Sequence, residues 1–165
     1  MTGTEIRPGS AVDLEPLVAV LGQRHFFADH LAGQQHGAGV LLVAWLDGGP
    51  VGDGFLAWDP APEPELRRHL PGVPRLIHLE VVGPQQGRGI GTALIRAAED
   101  TARRHGHERL VLAVGVGNLD ARRLYERLGY VDWGHGTIVG TWVDRDHDGP
   151  PVTESETCDV LVKRL

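Results

Sequence analysis

The chain has 165 residues, 41% of them hydrophobic, the size and composition of one domain with a real core. Its formal net charge of -6 argues against a nucleic-acid partner, since phosphate contacts need clustered Lys and Arg. A single cysteine excludes an internal disulfide, and no apolar run approaches the roughly 20 residues of a membrane span, so the expected location is the cytoplasm.

Thr4 to Arg7 reads as a short strand, and Ala11 to Leu21 as an amphipathic helix with Val12, Leu14, Leu17, Val18 and Leu21 apolar. A second helix is expected over Phe26 to Leu31. Gly39 to Leu46 and Val51 to Trp58 are apolar runs separated by Asp47-Gly48-Gly49-Pro50, the turn chemistry of an antiparallel hairpin. Asp59 to Pro74 carries Pro60, Pro62, Pro64, Pro71 and Pro74 and reads as a loop, with one helical turn at Glu65 to His69. Strand and helix then alternate: Leu76 to Val82 extended, Ile90 to Ala102 helical with Gly106 as its stop, and Leu110 to Val114 an apolar strand buried on both faces. A short helix with Ala121, Leu124, Tyr125 and Leu128 on one face ends at Gly129. Thr137 to Val143 and Asp159 to Leu165 read as closing strands separated by an acidic loop.

Between the strand ending at Val82 and the helix starting at Ile90, Gly87, Gly89 and Gly91 stand at alternate positions. Such a loop turns backbone N–H groups into one concavity beside the positive end of a helix, which suits a phosphate. A mononucleotide P-loop needs Lys after its last glycine, and Thr92 stands there. The dinucleotide fingerprint needs a third glycine where Thr92 or Leu94 stands.

The spacing that remains is Gln-x-x-Gly-x-Gly at Gln86-Gly87-Arg88-Gly89-Ile90-Gly91. It resembles the pyrophosphate loop of the GNAT superfamily of acyl-CoA-dependent N-acetyltransferases. The likeness continues through Asn118-x-x-Ala121-x-x-Leu124-Tyr125-Glu126-x-x-Gly129-Tyr130, similar to the family's second signature in order and distance. The resemblance implies an α/β (α+β) fold: a mixed, mostly antiparallel sheet flanked by helices, with a parallel strand pair splayed around the cofactor. It implies acetyl-CoA as co-substrate and a small-molecule amine as acceptor, in a monomer or homodimer. By the same resemblance Val81, Val82 and Gly83 pair with the pantetheine arm, the Val81 N–H reaching the thioester oxygen. Gln86, Gly87, Arg88, Gly89, Ile90, Gly91 and Thr92 hold the pyrophosphate, and Asn118, Ala121 and Tyr125 complete the cofactor site.

The chemistry asks for three groups: a donor to the oxyanion, an acid for the leaving thiolate and a base for the amine. Tyr125 stands at the family's tyrosine acid, although its place on an apolar face also suits a core residue. Asn118 either caps its helix or contacts pantetheine, and the roles are compatible. For the base, the residues themselves single out Glu80, a carboxylate in the apolar run Leu79 to Val82, whose burial is expected to raise its pKa. His78 falls on the same face by alternation and is a second candidate, acting with Glu80 or through water.

Two motifs are set aside. Asp144 to Gly149 opens like a calcium loop but has Ser155 at its twelfth position, and reads better as an acidic lip beside the acceptor cleft. His105-x-His107 has no third ligand nearby, so no metal is expected. Cys158 reads as a small core residue in a late strand. The acceptor is shaped in this family by segments corresponding to Leu21 to His36 and Asp144 to Glu156, whose acids favour a cationic amine. A non-catalytic acyl-CoA-binding module, another acyl group or a protein N-terminus as acceptor stand as alternatives.

Overall fold

A computed structural model describes residues 3–165. The hairpin at Asp47-Gly48 forms as expected: both residues have positive φ, 52° and 80°, the twist that joins β2 (Gly39–Leu46) to β3 (Gly49–Ala57). With β1 (Glu5–Pro8), β4 (Arg75–Val81), β5 (Arg109–Gly115), β6 (Val131–Asp132), β7 (Ile138–Asp144) and β8 (Val152–Arg164), they make one eight-stranded sheet in the order β1-β2-β3-β4-β5-β8-β6, with β7 beside β8. Every pairing is antiparallel except β4 with β5. That parallel pair is joined only at Arg75↔Val111 and Leu76↔Leu112 and then opens, which is the expected splay.

Helices cover both faces. The inner faces of α4 (Ile90–Arg104) and α5 (Leu119–Arg127) pack Ile90, Leu94, Ile95 and Tyr125 against Leu42, Leu76, Leu110 and Leu112. On the opposite face α1 (Leu14–Leu21) and α2 (Arg24–Gln35) bury Leu17, Phe27 and Leu31 over Leu41, Val43 and Phe55. Farther along that face α3 (Pro64–His69) sets Leu66 on Val111, Ile138 and Val160. The two clusters on this face flank a cleft where β4 and β5 part. One buried charge anchors α4: Glu99, 1% exposed, accepts from the Tyr130 hydroxyl at 3.0 Å and from Lys163 Nζ at 2.9 Å, partners without which a sealed carboxylate costs several kcal/mol.

Three expectations need correction, and one short strand went unread. The segment from Ala11 begins as a 3-10 turn, so Val12 falls off the helical face and is 83% exposed. The second helix starts at Arg24 and runs to Gln35, its polar ends hidden from an apolar-period reading. The acidic stretch before Asp159 is strand: β8 starts at Val152 and pairs with β7 as a two-stranded arm whose acids face solvent. The loop between them is only residues 145–151. The two-residue β6 carries no alternation long enough to read.

Candidate active site

Gly87 and Gly89 have φ of 75° and 81°. A Cβ would meet nothing within 4 Å at either position, so the constraint is backbone conformation, not space. Gly89 opens α4 with no side chain capping it, and the first backbone donor to reach a helical acceptor is Ala93 N, 3.0 Å from Gly89 O. The N–H groups of Ile90, Gly91 and Thr92 are therefore left for a ligand, at the positive end of a 15-residue helix. Arg88 is exposed on this loop. The Gln86 side chain ties the loop to the end of β4, its Nε2 donating to Val81 O at 2.9 Å.

At that end, Val82 N donates to Val51 O on β3 at 2.9 Å. Because successive N–H groups point to opposite sides of a strand, the Val81 N–H faces the opening toward β5, where strand pairing has ended. A donor fixed there meets the requirement for an oxyanion. Gly91 lies against both Val81 and Leu124, 3.9 Å from each for a built Cβ, so the loop, the strand end and α5 converge.

On α5, Asn118 caps the helix, its side chain accepting from Ala121 N at 3.2 Å. Ala121 is half-buried behind it. Tyr125 is 9% exposed, its ring in the cluster that takes in Val81 and Val82. Burial raises its pKa, which keeps the phenol protonated.

The acceptor side holds a constellation that the sequence revealed only in part. Pairing of β3 with β4 passes from Phe55↔Ile77 to Gly54↔Leu79, leaving His78 as a bulged residue with φ 52°. The bulge turns His78 and Glu80 to the α2 face together. His78 Nε2 sits 3.2 Å from Glu80 Oε2 and 3.2 Å from Asp53 Oδ1, within ion-pair distance of both and aligned as a hydrogen bond to neither. Asp53, on β3, is 0% exposed, and its carboxylate has no hydrogen-bonding partner among the described residues. Sequence reasoning missed it, although an acid inside the run Val51 to Trp58 was a visible signal. Phe26 of α2 covers the imidazole at 4.2 Å between ring centroids, with His30 behind it.

These contacts set the charges. Burial alone would lower the His78 pKa, but the carboxylates of Asp53 and Glu80 outweigh it and hold it up at about 9. Burial pushes Asp53 up, with His78 pulling back part of the rise. Glu80 moves opposite to expectation: the His78 ring outweighs its partial burial and, with Gln23 Nε2 donating at 2.9 Å, lowers its pKa. Its carboxylate is thus a weak base and a good anchor for a cation. Because His78 binds its proton more tightly folded than unfolded, the stability it contributes is full below pH ~6.5 and disappears as pH rises through 9. Urea unfolding between pH 6 and 9.5 should show a loss of up to about 3 kcal/mol, flattened in His78→Gln.

The two acceptor segments meet. Asp146, in the turn between β7 and β8, accepts from His25 N at 2.8 Å and Phe26 N at 3.2 Å, so it caps α2 from across the cleft. Arg145 pairs with Asp29 beside it. Asp144 accepts from Asp146 N at 2.8 Å, so the acids that resembled a calcium loop shape a turn and cap a helix. His105 and His107 both pack on Trp58, at 4.7 and 5.1 Å between ring centroids, and Cys158 is buried in β8.

The sequence model described as the acetyltransferase (GNAT) family matches residues 12–130. An uncharacterized N-acetyltransferase of Methanocaldococcus jannaschii is 47% identical over 55 residues, 33% of this chain and 24% of that protein, so the match spans about a quarter of the relative's length. Among solved structures, the PaiA N-acetyltransferase of Thermoplasma acidophilum in complex with coenzyme A superposes with a TM-score of 0.71 at 16% identity, covering 99% of each chain. A GNAT family acetyltransferase of Elizabethkingia anophelis with acetyl-CoA bound gives 0.63 at 18%, covering 98% of each. The ribosomal-protein-S18-alanine N-acetyltransferase of Escherichia coli gives 0.68 at 16%, covering 98% of this chain and 94% of that one. These likenesses are in fold. The family match takes in most of the chain and both signature motifs, and the chain belongs to the GNAT family of acetyltransferases.

Proposed function

We propose that this protein is an acetyl-CoA-dependent N-acetyltransferase that acetylates the primary amine of a small acceptor by direct attack. The observation that carries the reading is a base and an oxyanion donor at the end of one strand: His78, framed by Asp53 and Glu80, and the Val81 N–H facing the splay.

Each step has a residue. An alkylammonium with a pKa near ~10 passes its proton to His78 in its free-base form, a nearly balanced transfer because the imidazolium formed is held at about 9. Asp53 and Glu80 take up its charge. The freed amine attacks the thioester carbon, and the oxygen that becomes negative accepts from Val81 N–H, a donor already in place. Collapse breaks the C–S bond: Tyr125 gives its proton to the thiolate, and the second proton of the attacking nitrogen leaves to solvent, from which Tyr125 is reprotonated. Gly87 to Thr92 hold the pyrophosphate throughout, with Arg88 adding positive charge. Asn118 and Ala121 border the pantetheine, as do Val82 and Gly83. The carboxylates of Asp53, Glu80 and Asp146 around the cleft favour a cationic acceptor.

Acetyl-CoA at a hundred times its dissociation constant should stabilise the protein by about 2.7 kcal/mol, read as a rise in melting temperature. An amine panel should then release free thiol. Stabilisation without thiol release from any amine would leave a non-catalytic acyl-CoA-binding module, and no stabilisation at millimolar acetyl-CoA would remove both readings.

A further inference from the structure

We propose that Asp146 is a positioning residue for the base: it fixes the first turn of α2, and through that turn the Phe26 ring that lies on the His78 imidazole. This rests on the acetyl-transfer reading with His78 as its base, and adds to it a residue that touches none of the reacting groups.

The first turn of α2 lacks what usually holds such a turn. Its N-cap residue, Gln23, is left-handed at φ 57°, its side chain makes no cap hydrogen bond, and no acid stands within the turn itself. The first helical bond runs from Phe27 N to Gln23 O at 3.1 Å, so the N–H groups of Arg24, His25 and Phe26 have no helical acceptor. Asp146 takes two of the three, one on each carboxylate oxygen: His25 N on Oδ1 at 2.8 Å and Phe26 N on Oδ2 at 3.2 Å. Its charge also meets the positive end of the helix. The tip that delivers this cap is itself tied down. Asp146 N donates to Asp144 Oδ1 at 2.8 Å, and the Arg145 guanidinium pairs with Asp29 one turn farther along α2.

What this turn carries is the cover of the base. The Phe26 ring lies 4.2 Å from the His78 ring between centroids, their planes inclined by 38°, while the Nε2 edge of the imidazole is turned to Asp53 and Glu80. From the same turn Gln23 Nε2 donates to Glu80 Oε2 at 2.9 Å. The residue whose N–H is capped is therefore the residue whose ring covers the imidazole. Loss of a capping carboxylate shifts a first turn about fivefold toward fraying. A frayed turn lifts Phe26, lets water onto His78 and loosens the hold on Glu80. Phe27, 0% exposed among Leu17, Leu41 and Val43, keeps the rest of α2 in place, so the damage stays within the turn. Attraction of a cationic acceptor by the same carboxylate is a separate effect, and it is read in KM.

The test compares Asp146→Ala, Asp146→Asn, Phe26→Leu and the double variant Phe26→Leu/Asp146→Ala in the full chain, each checked for cooperative melting. Phe26→Leu should lower kcat about tenfold and Asp146→Ala about fivefold, with KM for the amine changed less than threefold. The double variant should fall no further than Phe26→Leu alone, because the cap acts through the ring. Asp146→Asn, which keeps one accepting oxygen, should retain about half of the wild-type kcat. Proton NMR gives a reading without substrate: the imidazole signal that is missing from His78→Gln should lose in Asp146→Ala most of the ring-current shift that it loses in Phe26→Leu. A double variant slowed about fiftyfold, the product of the single effects, would overturn the assignment. So would a raised KM with kcat unchanged in Asp146→Ala, wild-type kcat in Phe26→Leu, or a His78 signal that Asp146→Ala does not move. A moved signal in a protein that releases thiol with no amine keeps the coupling and removes the acetyl-transfer reading instead, so the two fail separately.

Discussion

Replacing His78 with glutamine should lower kcat/KM for amine acetylation about a hundredfold or more at pH 7.5, the usual contribution of a positioned base. The wild-type rate should climb with pH and level off near 9, because only the unprotonated imidazole takes the amine's proton. In His78→Gln that limb should vanish, leaving only the dependence set by the free amine near ~10. Asp53→Asn gives a separate reading of the same assembly. Removing one of two carboxylates that hold the imidazolium should move the limb to lower pH and depress the plateau, whereas a carboxylate with a merely structural role would leave the limb where it was. A limb fixed near 9 in both variants would remove His78 as the base and return the role to Glu80.

Tyr125→Phe should cut kcat about a hundredfold while the melting shift caused by acetyl-CoA stays within a degree or so of wild type. The ring fills the same space in the α4 and α5 core, so packing is preserved and only the proton donor is lost. Burial raises the phenol's pKa above its ordinary value near ~10, so the donor is protonated through the assayed range around pH 7.5 to 9. A leaving group that departs as a thiolate of low pKa needs less help. Thioesters of more acidic thiols should therefore regain rate in Tyr125→Phe. An unchanged kcat with acetyl-CoA would place Tyr125 in the core alone.

The donor half of the site was legible because it is local. A glycine loop, a strand before it and a helix after it lie within residues 76 to 104, and the second motif lies within 118 to 130. The periods of strand and helix read cleanly there, and α4 and β5 fell close to their expected bounds. The acceptor half was legible only in pieces because it is assembled from distant strands. His78 and Glu80 were visible on one face by alternation, but Asp53 comes from another strand, and the carboxylate that caps α2 lies 120 residues from it. The direction of the Glu80 shift followed the same gap: burial was readable, the neighbouring imidazolium was not. The long β8 was hidden by its acids, because its outer half, residues 152–157, is exposed at every position and lacks the apolar alternation that marks a half-buried strand.

The bulge in β4 has a consequence for how such a chain gains or loses its chemistry. The ladder with β3 pairs Ile77 and Leu79 with consecutive residues, so His78 is a residue the sheet does not use. Deleting it would leave Ile77 and Leu79 in their registers, Glu80 and Val81 on their faces and the glycine loop untouched. On the proposed assignment of His78 the product would be a regular sheet that still takes up acetyl-CoA and transfers its acetyl group no better than His78→Gln. A single-codon deletion would therefore remove the proposed base while keeping the register of the sheet, a second route beside substitution from a catalyst to a chain that chiefly binds acetyl-CoA.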